Sequence, residues 1–311
     1  MKIGFISDSE SFMPSAYALA ASGVQVFLYH KPSADKIVYQ KVQDFTRQTG
    51  VSVTEERTEE NLYEWFCQLQ LDICFVMGYN TLIQTNRLAT RKTPIYNVHF
   101  GSLPSFKGPS PVFWQLKNGV DKLATTIHRL TERLDDGPVV WMKETPNQLF
   151  YNFRAATQIL SQLSAEGVLF LTELTKKGVD VISIDRIGVS SAYQKRPVLQ
   201  DVLIDWEKME ANEICNLIRA CNPWNKGAIT FFNGCEVKLM DAIVTDIKTE
   251  NKSLLPAGSI LENGKALMVQ CRDNKVLQIN TILYDEMFIP GYQCHHYGFL
   301  KGRLFETIKN N

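Results

Sequence analysis

The chain has 311 residues, of which 45% are hydrophobic and 21% charged, and its 33 basic side chains match its 33 acidic ones. This length allows one large domain or two ordinary ones, and the balanced charge excludes a global basic field for binding nucleic acid. The start, MKIGFISDSE, lacks the apolar core of a signal peptide, and no segment approaches the ~18 apolar residues of a membrane helix. Seven scattered cysteines without a CxxC pair are typical of free thiols, so we expect a cytoplasmic protein with no membrane partner.

The first half of the sequence alternates between strand and helix patterns. The apolar runs KIGFIS, VQVFLYH, DICFVMG and PIYNVH predict strands. Between them, ENLYEWFCQLQ places Leu62, Trp65, Phe66 and Leu69 on one face of a helix. This order predicts an α/β fold with a mostly parallel, Rossmann-like sheet that carries helices on both faces.

The second half begins with two more predicted strands, LATTIHRL and PVVWMKE, and a long helix over residues 150–176. That helix carries an apolar stripe that we expect to be buried, formed by Phe153, Ala156, Leu160, Leu163, Gly167, Phe170 and Leu174. After about Gly178 come a connector, one amphipathic helix and short strands with Asn-Gly turns at 233–234 and 263–264. We therefore predict a first domain at 1–185, a linker at 186–206 and a small β-barrel-like domain at 207–311.

The turn after the first strand, SDSESF, lacks the glycine pattern that lets a backbone approach a pyrophosphate. GxGxxG is missing there, and GxxxxGK[ST] is missing from the whole chain. A NAD oxidoreductase or a P-loop enzyme is therefore disfavoured, and we look for the chemistry at a later strand of the sheet.

The stretch NVHFGSLPSFKG, residues 97–108, places Asn97 and His99 at the predicted carboxyl end of a strand, where ligands of open α/β sheets bind. Side chains two apart on a strand face the same way. The turn LDDGPVV adds the carboxylates of Asp135 and Asp136. An amide and a protonated imidazole can stabilise an oxyanion while a carboxylate accepts a proton, which suits acyl transfer to an amine. No serine or cysteine sits in a nucleophile elbow, so direct transfer is favoured.

Each of these residues also has a simpler structural explanation, and the residues alone leave both open. His99 is explained equally by a hydrogen-bonded strand end, Asn97 by a cap and DDG by an exposed turn. We interpret His30 and His128 as structural polar residues. The run Cys294 to His296 does not predict a metal site, because adjacent residues rarely ligate one ion and no second cluster completes a tetrahedron.

Taken together, NVHFGSLPSFKGPSPVFWQLKNG and TIHRLTERLDDGPVV resemble the 10-formyltetrahydrofolate-dependent formyltransferase family. The shared pattern reads N-x-H, then a Leu-Pro, Lys-Gly, P-x-x-W, T-I-H and D-x-G, at the spacing of the family. The resemblance implies that Asn97, His99 and Asp135 form the catalytic trio of the first domain. AYQKRPVLQDVLIDW, IRACNPWNKGAI and GFLKGRLF are similar to the linker and second domain of methionyl-tRNA and UDP-4-amino-arabinose formyltransferases.

The resemblance also implies that 10-formyltetrahydrofolate is the formyl donor, and the residues themselves predict no metal cofactor. It assigns the pterin to the loop MGYNTLI, where we expect Tyr79, Asn80, Thr81 and Leu82 to bind the donor. The loop TERLDD closes the other side, and there we expect Asp136 to contribute.

Two departures from the family bear on the pocket and on the acceptor. Gly101 and Ser102 replace the usual Ser and Leu, and we expect Gly101 to open the loop behind His99. The basic glycine-rich insertion of the transfer-RNA enzymes is missing after the second strand. We therefore expect an N-formyltransferase that acts on a small primary amine, such as a nucleotide-linked amino sugar or an amino-acid-like metabolite. Methionyl-tRNA is the alternative acceptor, and a catalytically silent folate or nucleotide-sugar binder is the alternative of another class.

Overall fold

A computed structural model describes residues 1–88, 93–184, 191–246, 255–262 and 265–307. The chain folds into two compact units, an N-terminal unit of Met1–Pro111, Lys122–Pro146 and Thr157–Lys195 and a C-terminal unit of Val112–Asp121, Asn147–Ala156 and Arg196–Asn311. Part of the predicted linker, residues 186–190, lies outside the described residues. The domain boundaries at 185 and 206 stay a prediction.

The N-terminal unit is built on a seven-stranded sheet. Its strands are β1 (Lys2–Ser7), β2 (Gln25–His30), β3 (Ser52–Glu55), β4 (Ile73–Met77), β5 (Ile95–His99), β6 (Lys122–Arg129) and β7 (Val139–Pro146). They are ordered β3-β2-β1-β4-β5-β6-β7. The first five run parallel, and β6 and β7 are antiparallel to their neighbours. This confirms the predicted mostly parallel sheet.

Helices flank this sheet and connect its strands. They are α1 (Met13–Ala21), α2 (Lys36–Thr49), α3 (Glu59–Leu69) and α4 (Thr85–Leu88), followed by α5 (Pro111–Lys117) and α6 (Phe153–Lys176), which each begin in one unit and end in the other. Side chains of β1 alternate between two hydrophobic clusters, with Phe5 in one and Ile6 in the other. The first cluster includes Phe12 and Leu171, and the second includes Trp65 of α3. The prediction of helices on both faces is therefore confirmed.

The predicted buried stripe of α6 was partly wrong, because Phe170 is 49% exposed. Gly167, which also belongs to the predicted stripe, packs directly against the sheet. A Cβ on Gly167 would lie 2.5 Å from the ring of Trp141 and 2.6 Å from Ile127, so the approach of the helix to the sheet at this point requires glycine. Leu171 is fully buried one turn later, which leaves Phe170 at the edge of the buried face.

The C-terminal unit is an antiparallel half-barrel ordered β10-β11-β12-β9-β8, with β13 added to β12. Its elements are α7 (Leu199–Val202), α8 (Ala211–Cys221), β8 (Ala228–Phe232), β9 (Cys235–Thr245), β10 (Ile260–Glu262), β11 (Leu267–Gln270), β12 (Val276–Tyr284), β13 (Met287–Pro290) and a 3₁₀ helix (Gly291–Tyr297). The segment after this helix links the two sheet edges, because Ile260 donates to the carbonyl of Arg303 and Glu306 pairs with Phe231. The barrel-like prediction is confirmed.

The predicted Asn-Gly turn between β8 and β9 is present. Asn233 has a φ of 50° and Gly234 a φ of 75°, the positive pair that a two-residue hairpin of this type requires. The second predicted Asn-Gly turn, at 263–264, lies outside the described residues. Across the described ranges, no helix is long and apolar enough to cross a bilayer.

Candidate active site

Three predicted site residues converge at the carboxyl end of β5. Asn97 and His99 lie two apart on this strand, and Asp135 lies in the loop between β6 and β7. The Nδ2 atom of Asn97 donates to Oδ1 of Asp135 at 3.2 Å, and Nδ1 of His99 lies 3.4 Å from the same oxygen. The carboxylate is 3% exposed and the imidazole 6% exposed. An amide, an imidazole and a carboxylate thus form one nearly dry cluster.

The local backbone around Asp135 explains why this turn reads Asp-Asp-Gly. Asp135 has a φ of 52°, a left-handed conformation that Asp tolerates better than most residues. Its second oxygen, Oδ2, accepts from the backbone N–H of Gly108 at 2.8 Å. A Cβ on Gly137 would fall 1.8 Å from the carbonyl oxygen of Arg129, so only glycine lets the loop return this closely onto β6.

His99 is held by the backbone on its other side. Its Nε2 atom lies 2.6 Å from the carbonyl oxygen of Phe106, and because a carbonyl only accepts, Nε2 carries a proton. Gly101 does not open a gap behind the ring as expected. A Cβ at Gly101 would lie 2.7 Å from Nε2 and 2.7 Å from Pro111, so the loop packs directly against the imidazole. Thr126 of β6 holds this loop by donating to the Gly101 carbonyl at 2.6 Å.

The pKa values of both His99 and Asp135 are lowered in this cluster. Burial lowers the pKa of His99 below the ordinary 6.5, and the opposing effects of Asp135 and the Phe106 carbonyl do not restore it. Burial alone raises the pKa of Asp135, but the neighbouring imidazoles and the Gly108 N–H outweigh it, so that pKa is lowered. A buried imidazole thus faces a carboxylate whose pKa is held below its ordinary value, with Nδ1 of His99 at 3.4 Å from Oδ1 of Asp135.

His128, which we interpreted as structural, also belongs to this cluster. It lies directly opposite Asn97 in the antiparallel pair of β5 and β6 and is 1% exposed. Its Nε2 atom lies 3.0 Å from Nδ2 of Asn97 and 3.5 Å from Oδ1 of Asp135. The signal in the sequence was the T-I-H element, but linking it to Asn97 requires the register of two strands that lie about 30 residues apart.

The predicted donor-binding loop follows β4, whose Val76 and Met77 pair with Asn97 and Val98 of β5. The loop therefore begins beside the strand that carries Asn97 and His99. Three of its side chains are tied to the ends of neighbouring strands. The hydroxyl of Tyr79 donates to the carboxylate of Glu56. Asn80 donates to Asp8 through both its backbone N–H and its side-chain amide. The hydroxyl of Thr81 accepts from the ammonium of Lys31 at 2.9 Å. Leu82 is 65% exposed.

Asp136 lies apart from these buried contacts. Its side chain is 40% exposed, pairs with the ammonium of Lys107 and lies 3.9 Å from Arg133. The hydrogen bond and charge of Lys107 lower the pKa of Asp136. Among the residues that the structure describes, no group of three or more His, Cys, Asp or Glu side chains has metal-binding geometry.

The fold is α/β, and a buried cluster of an amide, imidazoles and a carboxylate lies at the carboxyl edge of its sheet. Two family models match this chain: one described as Formyl transferase covers residues 6–149, and one described as Formyl transferase, C-terminal domain, covers residues 199–286. Together they match more than half of the chain, which therefore belongs to the formyl transferase family. It is a formyltransferase, as the sequence resemblance implied.

Two methionyl-tRNA formyltransferases and one solved N-formyltransferase are similar to this chain. The methionyl-tRNA formyltransferase of Caldanaerobacter subterraneus subsp. tengcongensis is 26% identical over 309 residues, which span 95% of this chain and 97% of that protein. That of Thermotoga neapolitana is 28% identical over 201 residues, which span 65% of this chain and 63% of that protein. The Helicobacter canadensis N-formyltransferase solved with folinic acid and dTDP-3-aminofucose has a TM-score of 0.67, 16% identity, and coverage of 90% and 98% of the two chains. This last similarity concerns the fold alone.

Proposed function

We propose that this formyltransferase moves a formyl group from N10-formyltetrahydrofolate to a small primary amine. A nucleotide-linked amino sugar or an amino-acid-like metabolite is the preferred acceptor. The observation that carries the proposal is the convergence of Asn97, His99 and Asp135 at the carboxyl end of β5. A similar fold in an enzyme solved with folinic acid and an amino sugar nucleotide supports the choice of donor and acceptor class.

Asn97 and His99 stabilise the negative charge that develops on the formyl oxygen when the amine attacks. Each such donor is worth roughly 3–4 kcal/mol in a site that excludes water. The donors are occupied within the protein, by Asp135 and His128 in the case of Asn97 and by the Phe106 carbonyl in the case of His99. Donation to the oxyanion therefore requires that each residue exchange one of these bonds.

Asp135 receives the proton that the attacking amine loses. Its Oδ1 atom faces the lone pair of His99 Nδ1 at 3.4 Å, and a proton placed between these two acceptors is shared by both. A protonated carboxyl is a weaker acceptor than a carboxylate. Proton arrival thus weakens the hold of Asp135 on the amide of Asn97 and frees that hydrogen for the oxyanion. The new N–C bond forms, the bond to N10 breaks, and N10 leaves with the proton that Asp135 and His99 had taken from the amine, which restores the carboxylate.

The donor binds at the loop formed by Tyr79, Asn80, Thr81 and Leu82. The side-chain bonds to Asp8, Glu56 and Lys31 hold this loop in one conformation. The backbone N–H and C=O groups of Tyr79, Thr81 and Leu82 are proposed to bind the edge of the pterin ring. Asp136 is proposed to contribute from the other side of the pocket.

Methionyl-tRNA is the second candidate acceptor, and the match over nearly the full length of a methionyl-tRNA formyltransferase favours it. Against it, the formal net charge of the chain is zero, whereas a protein that neutralises several phosphates needs a basic surface. The small-amine proposal therefore has priority.

Turnover assays with both acceptor classes test the proposal. Purified protein is given 10-formyltetrahydrofolate with a panel of nucleotide-linked amino sugars and amino acids, or with charged initiator methionyl-tRNA, and release of tetrahydrofolate is followed. Turnover with a small amine is the expected result. Turnover with the transfer RNA alone, fading as salt rises, would assign the second function. Folate binding without turnover on any acceptor would identify a silent binder.

Substitution of His99 tests the residue assignment. His99→Ala should lower kcat by about 10²–10³-fold, since an oxyanion donor and half of a proton site are lost together. Binding of folate and the cooperative unfolding transition should persist. His296→Ala, at an exposed histidine of the C-terminal unit, is the matched control and should retain wild-type turnover. An active His99→Ala enzyme would refute the assigned role.

A further inference from the structure

The backbone contact of His128 identifies which of its nitrogens carries a proton. Its Nδ1 atom lies 2.9 Å from the carbonyl oxygen of Arg129. Because a carbonyl oxygen only accepts, Nδ1 carries the proton. In a neutral ring, Nε2 then has a lone pair and can only accept. The ring is 1% exposed, so water does not compete for either nitrogen.

The lone pair on Nε2 is directed at Asn97. The amide nitrogen of Asn97 lies 3.0 Å from Nε2 of His128 and 3.2 Å from Oδ1 of Asp135. Its two hydrogens satisfy these two acceptors. If the amide were rotated by half a turn, its oxygen would face both acceptors and every contact would be repulsive. His128 and Asp135 together therefore permit a single orientation of Asn97.

We propose that His128 is a positioning residue that fixes the amide of Asn97 by accepting its second hydrogen. This inference rests on the proposed function, in which Asn97 turns one hydrogen toward the oxyanion. When the bond to Asp135 is exchanged, the bond to His128 remains and prevents the amide from rotating. Asn97 then keeps its hydrogen aimed at the reacting oxygen instead of presenting the amide oxygen.

The loop between β6 and β7 supports this arrangement. Gly137 packs on the Arg129 carbonyl and on the ring of His128, where a Cβ would lie 1.8 Å and 3.1 Å away respectively. The glycine of the Asp-Asp-Gly turn thus lets one short loop deliver Asp135 and cover His128 at once. An alternative is a protonated His128 paired directly with Asp135, whose oxygen lies 3.5 Å away. That state would set an N–H of His128 against Nδ2 of Asn97 at 3.0 Å. Rotating the amide to avoid this would set its oxygen against the carboxylate of Asp135 at 3.2 Å.

Two substitutions of His128 separate its two hydrogen bonds. The amide of His128→Gln can present an acceptor where Nε2 stands, whereas the amide of His128→Asn can donate where Nδ1 stands but falls short of Asn97. We expect His128→Gln to retain kcat within about 10-fold and His128→Asn to lose about 100-fold, approaching the effect of losing an oxyanion donor. The KM for the formyl donor should change little in both. Equal losses in the two variants would overturn the inference.

A double-mutant cycle tests whether His128 acts through Asn97. If it does, adding His128→Asn to Asn97→Ala should cost no further activity, because the amide that it positions is already missing. Losses that multiply would assign His128 a separate role and contradict the proposal. Thermal unfolding of each variant shows whether it is folded. If His128→Asn does not fold, the proposal is tested by the kinetics of His128→Gln and by NMR of the wild-type protein.

Nitrogen-15 NMR of the wild-type imidazoles tests the hydrogen-bonding role of His128 without a turnover assay. His128 should show a protonated Nδ1 and an unprotonated Nε2 at neutral pH, whereas a doubly protonated ring would overturn the inference. A wild-type protein that transfers formyl to no amine would defeat the proposed function. The NMR result would still establish or refute the orientation of Asn97.

Discussion

The imidazole of His99 is confined by backbone atoms on two sides. Nε2 is bound to the Phe106 carbonyl at 2.6 Å, and the Cα of Gly101 lies against the ring. Gly101 does not have a positive φ, so its backbone conformation does not require glycine. The reason for glycine here is therefore contact alone, and any side chain must displace His99 or Pro111.

Gly101→Ala should lower kcat by more than 10-fold, because under the proposed mechanism a shift of the His99 imidazole by a fraction of an ångström misaligns the reacting groups. Turnover and the free energy of unfolding are measured together. The control is Gly178→Ala, where a φ of 65° strains any side chain but nothing lies within 4 Å of the new Cβ. That variant should lose about 1 kcal/mol of stability and no activity. Unchanged kcat in Gly101→Ala would show that the ring tolerates displacement.

At the scale of elements, the loop after β4 is fixed by residues that come from the ends of three other strands. Asp8 follows β1, Lys31 follows β2 and Glu56 follows β3. Asp8 accepts from the N–H of Asn80 at 3.0 Å and from its amide at 2.6 Å. These parallel strands end at one edge of the sheet, which is why residues from such distant parts of the chain meet there.

Asp8→Ala should raise the KM for 10-formyltetrahydrofolate about 5–50-fold with kcat nearly unchanged, since ordering the loop becomes part of the cost of binding. Steady-state kinetics with varied donor measure this split. Asp35→Ala is the matched control, because Asp35 caps α2 by accepting from Ile37 at 2.8 Å. It should cost about 1 kcal/mol of stability without altering KM. A fall in kcat with unchanged KM in Asp8→Ala would contradict a role in donor binding.

The elements that the sequence predicts are those whose signal is local. The apolar run of β4, the stripe of α3 and the turn at Asn233 depend on neighbours within a few residues, and the structure contains all three. The inward face of α6 depends on Trp141 and Ile127 of other strands, so the larger Phe170 was wrongly placed in the core.

The convergence of Asn97, His99 and Asp135 was predictable because their spacing follows the family pattern. The contact between His128 and Asn97 was not predictable, because it depends on the antiparallel pairing of β6 with β5 in one particular register. The close packing of Gly101 on His99 was not predictable either, since the fold of the loop decides whether a glycine opens space or closes it.

For the whole molecule, two buried histidines link stability to pH. Burial lowers the pKa of both His30 and His99 below 6.5, against the raising effect of nearby carboxylates and carbonyls. His30 is fully buried, with Nδ1 at 3.1 Å from the Ser7 carbonyl and no partner for Nε2 in the described part of the chain. At the pH at which these histidines begin to bind protons in the unfolded chain, they bind fewer protons in the folded protein. Asp8 has a raised pKa and acts in the opposite sense, but nearer its ordinary value of 3.8.

The free energy of unfolding should therefore fall as pH drops below 6.5, because the unfolded chain binds more protons than the folded one in that range. Each histidine contributes in this direction, because burial holds its pKa in the folded protein below that in the unfolded chain. Urea unfolding at a series of pH values from about 7.5 to 5.5 measures the slope. His30→Asn keeps a donor for the Ser7 carbonyl but cannot titrate, so the slope should decrease toward the contribution of one histidine. An identical slope in the variant would mean that His30 is protonated equally in both states.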